Sequence, residues 1–163
     1  MHELHAIKSD QFGHPRSRNQ FISTAESVLL YNSNTWTLTK QMEKSLDGIY
    51  TRMLRMTLNV SWKQHMTNQE LYGNLPKVTS KIAMRRLRLA GHCVRHPEEI
   101  ASQLVLWEPS EGRTNRGRKP VDYIDLIKRD TGLDNINEIK TAMLDREVWK
   151  RFVYEARSAD RPK

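Results

Sequence analysis

The stretch Lys77–His96, KVTSKIAMRRLRLAGHCVRH, with Pro97 as its stop, decides how the rest of the chain is read. At 100° per residue it forms a helix on which Lys77, Lys81, Arg85, Arg88, His92 and Arg95 fall within roughly 80° of one another. Ile82, Ala83, Leu87, Leu89, Ala90, Cys93 and Val94 take the other side, so one face can dock on a core while a basic face stays wet. No Asp or Glu interrupts the stripe. Exposed helices usually mix signs at i,i+4 spacing, and six aligned cationic or titratable positions call for a polyanion. The plainer alternative is a solvated face. Arg86 is the odd residue: it projects near the centre of the apolar side, where an unpaired guanidinium is costly. Either a carboxylate from another helix meets it, or the helix contacts nucleic acid on more than one side.

Working outward, the charge balance supports the polyanion. The chain has 163 residues, 28% of them charged and only 37% hydrophobic, with a formal net charge of +8 and a pI of about 9.8. Ten Lys or Arg and four Glu lie between Lys77 and Lys119, whereas the rest of the chain carries 17 basic and 15 acidic residues. The excess is thus focused on the middle third, which favours a nucleic-acid or anionic-surface partner. A second basic cluster, EGRTNRGRKP at 111–120, carries Arg113, Arg116, Arg118 and Lys119 among two glycines and a proline. It cannot bury itself, and it reads as a flexible loop that wraps phosphate backbone, or else as a solvated linker. The single cysteine excludes an internal disulfide and any multi-cysteine zinc site and suits a reducing compartment. No apolar run approaches a membrane span or signal segment, so an intracellular protein, nuclear or cytoplasmic, without a membrane partner is expected.

The remaining segments read as a mainly α protein, a bundle of about six or seven helices joined by short extended connectors. Residues 1–17 lack a sustained period and form a loose N-terminal arm. Phe21, Ile22, Ala25, Val28 and Leu29 keep a helical period that Asn32-Ser33-Asn34 breaks. Trp36 to Thr39 is a short extended piece, and Thr39 is a candidate N-cap for a helix over about 40–58. Thr67 and Glu70 spell a capping box for a short helix that Gly73 closes. These elements and the basic helix make a helical unit over 18–97. A connector over 98–120 follows, in which Gln103–Trp107 is a short strand or a helix tail. Helices over about 121–130 and around Ile136–Met143, with a last one carrying Val148, Trp149, Phe152 and Val153, form a C-terminal subdomain over 121–157 before a tail at 158–163.

Catalytic chemistry is hard to draw from these residues. Polymerases and nucleases hold divalent metals with clustered carboxylates, and the acids here are scattered among basic neighbours. His92 and His96 share a helix side at the spacing by which two histidines bind zinc, with Cys93 beside them, but the segment lacks finger spacing and a second cysteine. No metal, cofactor or catalytic residue is assigned, and Cys93 reads as a buried small side chain.

Six collinear segments, ESVLLYNSNTWTLTK (26–40), LDGIYTRMLR (46–55), ELYGNLPKV (70–78), RRLRLAGHCVRHPE (85–98), RGRKP (116–120) and EIKTAMLDREVWKR (138–151), resemble the C-terminal region of non-LTR (LINE-type) retrotransposon endonuclease–reverse transcriptases. The likeness runs from about residue 20 to the end and departs from the family at Asn32, where glycine is usual. It implies that 18–97 is thumb-like and holds a primer–template duplex, while the palm with its catalytic carboxylates and the endonuclease lie elsewhere. The expectation is a non-catalytic fragment that binds RNA, DNA or a hybrid duplex, alongside an upstream reverse-transcriptase part. Its contacts would be Lys77, Lys81, Arg85, Arg86, Arg88, His92, Arg95, Arg113, Arg116, Arg118 and Lys119. The alternative is a degenerate retrotransposon-derived fragment with no evolved activity.

Overall fold

A computed structural model describes residues 15–108 and 121–158, and among them the chain is helical, with eight helices and no strand. The basic cluster 111–120, most of the N-terminal arm and the tail lie outside the described residues.

Helix α1 begins at Pro15, inside the expected arm, because a proline suits the first helical turn, where its missing N–H is not needed. It runs through Pro15–Phe21, a π-helical turn at Ile22–Glu26 and Ser27–Leu29. The hydroxyls of Thr24 and Ser27 donate to the carbonyls of Gln20 (2.6 Å) and Ser23 (2.9 Å), a competition that loosens the α ladder. A turn closed i→i+5 stacks residues five apart, so Phe21 and Glu26 both point inward and are buried. Asn32 then takes the left-handed region (φ 54°), a conformation that asparagine tolerates better than most residues. The chain next makes a 3₁₀ turn at Ser33–Thr35 and an extended step at Trp36. Thr39 caps α2 (Lys40–Thr57), its Oγ1 accepting from the Met42 N–H at 3.3 Å.

The Thr67–Glu70 capping box is formed, and opens α3 (Asn68–Tyr72), which Gly73 ends. The central helix, α4, spans Val78–Arg95. Its N-terminus has no side-chain cap of its own; Asp47 of α2 supplies one, accepting from the Thr79 N–H (3.3 Å) and hydroxyl (3.0 Å). The ambiguous segment before Trp107 is a short helix, α5 (Ile100–Val105). Beyond the connector come α6 (Tyr123–Thr131), α7 (Ile136–Leu144) and α8 (Arg146–Ser158).

The two halves have separate cores threaded on one helix. Phe21, Leu30, Tyr50, Leu54, Leu71 and Tyr72 pack with Val78 and Ile82 of α4. Leu87, Ala90, Cys93 and Val94 of α4 instead join Ile124, Ile127, Ile139, Met143, Trp149 and Val153. Each fully buried Leu, Ile or Phe contributes about 1.5–3 kcal/mol, so α4 is held by hydrophobic contacts along its whole length. Its closest neighbour is α8. The Trp149 indole N–H donates to the Leu87 carbonyl at 2.7 Å, and Gly91 permits this approach, since a Cβ there would overlap the Trp149 ring. Across the cores, Arg129 of α6 donates to Glu43 of α2 at 2.6 Å, and the Tyr123 hydroxyl donates to the Asn34 carbonyl at 2.9 Å.

Candidate nucleic-acid interface

Because α4 meets different neighbours at its two ends, its basic stripe splits. In the N-terminal half Lys81 is buried, and its Nζ donates to Glu26 Oε2 (2.5 Å) and to the Tyr50 hydroxyl (3.1 Å). Tyr50 in turn donates to the same Glu26 oxygen at 2.5 Å. Burial, with the Glu26 carboxylate beside it, pushes the Tyr50 phenol far above its ordinary range. The expected phosphate contact at Lys81 is therefore corrected to a core ion pair, and the π turn that delivers Glu26 is the reason. Lys77 is half-buried at the helix start.

Arg86 is corrected in the same way. It is 1% exposed and ion-paired with Asp130 of α6, and its Nη2 reaches the Trp36 carbonyl at 3.5 Å. Of the two options its position on the wheel left open, the carboxylate is the one that meets it.

From Arg85 onward the stripe stays wet. Arg85, Arg88 and His92 are exposed and Arg95 is half-buried. Arg85 Nη1 donates to the Leu30 carbonyl (3.0 Å) and Arg95 Nη1 to the Met143 carbonyl (2.7 Å), so each guanidinium is anchored by one nitrogen with the others still able to donate. Arg88 stands between two grooves. One, about 340 Å³, is lined by Asn34, Arg85, Arg88, Leu89 and His92. The other, about 510 Å³, runs between α4 and α8 past Arg88, Arg95, Arg146, Lys150 and Tyr154. Among the described residues, no Asp or Glu lines either groove. Arg113, Arg116, Arg118 and Lys119 lie outside the described residues.

Arg146, Lys150 and Tyr154 are members of this surface that the sequence reading missed. They follow one another at i, i+4 and i+8, within roughly 80° on a helix, which is a legible signal. What the spacing could not disclose is that Trp149, on the adjoining face, would seat them alongside Arg88 and Arg95. Glu147 tempers the surface slightly by pairing with Lys150 at 2.6 Å, both side chains being well exposed.

The His92 and His96 rings lie 4.4 Å apart, and His96 Nδ1 is 3.1 Å from Glu98. No group of three or more His, Cys, Asp or Glu side chains among the described residues is placed to hold a metal ion. Cys93 is buried, and burial pushes its thiol up, which keeps it neutral. No described helix is long and apolar enough to cross a membrane.

These features define a mainly α protein in which two cores share one helix. No protein family, curated protein or solved structure matches the chain.

Proposed function

We propose that the chain is a non-catalytic nucleic-acid-binding module that grips a phosphate backbone in the groove between α4 and α8. One observation carries this reading: Arg88, Arg95, Arg146 and Lys150 converge from two helices on an open groove with no acid among the described residues that line it. Isolated surface cations are cheap and common, but four on one concave surface raise the local concentration of an anion, and Arg adds fork-shaped donors suited to phosphate. Arg85, His92 and Asn34 extend the track on the far side of Arg88. Backbone contacts of this type position a strand without reading its sequence. The likeness to the post-palm region of LINE-type reverse transcriptases supports a duplex as ligand and a role in holding it, with polymerisation belonging to the palm.

The test is fluorescence anisotropy with a short duplex at several salt concentrations. Binding is expected to be tolerant of sequence, in the range of about 10⁻⁴–10⁻⁶ M at physiological salt. The Arg88→Ala, Lys150→Ala double variant is expected to flatten the slope of log K against log salt by about 0.9 per lost contact on B-DNA. An unchanged slope would remove the groove from the interface, and no binding even at low salt would leave the inactive-relic reading. In parallel, primer extension with Mg²⁺ or Mn²⁺ should give no product; extension that survives further purification would overturn the non-catalytic assignment.

A further inference from the structure

The groove between α4 and α8 is uneven along its length, because the two helices run antiparallel. Arg95, at the C-terminal end of α4, donates to the Met143 carbonyl just ahead of α8. Trp149 meets Leu87 midway, and Ala156 lines a cavity with Ser80 and Ala83 near the start of α4. One end of the groove therefore brings Arg95 together with Arg146, the first residue of α8. The other end brings Met84 together with Val153 and Tyr154, and Arg88 and Lys150 stand between. Tyr154 is 63% exposed, so its ring faces the solvent side of the groove. At 1.5 Å per residue, Met84 and Arg95 are roughly 16 Å apart along α4. The groove is thus cationic at one end and apolar and aromatic at the other.

We propose, on the reading that this groove grips a phosphate backbone, that the strand it holds is unpaired: the overhang at the end of a duplex, with one base stacked on Tyr154. A duplex backbone alone would use the cations and leave the Met84, Val153 and Tyr154 end in water. Inside a duplex the base faces are stacked on one another, out of reach of a side chain in such a groove. In a single strand they are open, and a basic groove with an aromatic ring in it grips them whatever the sequence, because every base has a π-face. Arg88, between the two ends, can hold a phosphate or lay its planar guanidinium against a base. A free nucleotide offers the same ring and phosphate, but four cations spread along a groove of this length are more than one phosphate group can engage. The paired part of the same ligand has its own place, since Arg85 and His92 line a separate groove on the far side of Arg88.

The experiment compares three forms of one DNA duplex by fluorescence anisotropy with the full-length protein: blunt, with a single-stranded overhang of about five nucleotides, and with an overhang of equal length whose sugars carry no bases. The base-bearing overhang is expected to bind about tenfold tighter than the abasic one, which has the same phosphates. Tyr154→Ala should remove that margin, and Tyr154→Phe, which keeps the ring, should retain it. The slope of log K against log salt counts phosphate contacts and should not move in Tyr154→Ala. A 2-aminopurine in the overhang should be quenched on binding to the parent protein and remain bright with Tyr154→Ala. Equal binding of the base-bearing and abasic overhangs, or a margin that survives Tyr154→Ala, would overturn the proposal. In that event a salt slope still flattened by Arg88→Ala, Lys150→Ala would keep the groove as a backbone site, whereas an unchanged slope would bring down both. Displacement of the overhang by an equal concentration of thymidine monophosphate would hand the groove to a small nucleotide and equally overturn the proposal. Tyr154 sits at an exposed position, and an unchanged circular dichroism spectrum separates lost stacking from lost folding.

Discussion

The two halves of α4 carry the same signal, a cation every third or fourth residue, and use it in opposite ways. Lys81 and Arg86 are enclosed and neutralised by Glu26 and Asp130, whereas Arg88 and His92 are exposed. The difference lies in the neighbours. The first half is covered by α1 and α2, which bring a carboxylate and a phenol to Lys81. The second half is flanked on one side by α8, which brings Arg146 and Lys150 toward Arg88 and Arg95. A basic stripe is thus a property of a helix, and a basic surface is a property of what stands beside it.

Replacing one cation in each half tests this contrast most directly. Lys81→Met should destabilise the fold by about 3–5 kcal/mol, because Glu26 would remain buried with only the Tyr50 donor. Arg88→Met, at an exposed position, should change stability by less than about 0.5 kcal/mol. Urea unfolding of the two variants side by side measures the gap, and similar losses would break the distinction.

In the second half the sensitive position is Gly91. Gly91→Ala should cost about 1–3 kcal/mol through overpacking against Trp149. The displacement is readable as loss of protection of the Trp149 indole proton. A stable variant with that proton still protected would mean that the α4–α8 contact does not depend on the missing Cβ.

Alkaline pH should strain the first core more than the second. Burial raises the phenols of Tyr50 and Tyr72 in the first core, and that of Tyr123 to about 12. A raised folded-state pKa leaves stability intact below the unfolded value near 10. Above it the unfolded chain ionises first, so stability falls with rising pH toward the folded pKa, by up to about 1.4 kcal/mol per pH unit for each phenol. Unfolding midpoints from pH 8 to 11 should decline from about pH 10, less steeply in Tyr50→Phe. A flat profile would contradict the enclosure of these phenols.

The smallest expected effect sharpens the same comparison. The Arg146→Ala, Lys150→Ala pair should leave stability within about 0.5 kcal/mol of the parent while weakening duplex binding and its salt dependence. Loss of stability comparable to that of Lys81→Met would show that α8 holds the fold with these cations and does not merely present them.

Much of this architecture is local physics and was therefore legible. The period of Met42 to Leu58, the Thr39 cap and the Thr67–Glu70 box each depend on residues within a few positions of one another, and each is in place. The burial of Cys93 followed from its apolar neighbours. Helix α5 was ambiguous because six residues are too few for a period to separate a helix from a strand. The left-handed turn at Asn32 explains why a residue tolerant of positive φ stands there.

By itself the sequence determined the helices, their caps and which residues could be charged or apolar, because propensity, capping and periodicity act over one or two turns. Only the tertiary structure decided which cations remain available to a ligand. The partner of Lys81 lies 55 residues away at Glu26, that of Arg86 lies 44 residues away at Asp130, and the cations facing Arg88 across its groove come from α8. Helical periodicity says which side of a cylinder a charge is on, and nothing about what will be pressed against that side. Burial and ion pairing are set by the packing of distant segments, and that packing is what divided a continuous stripe into a core network and an open groove.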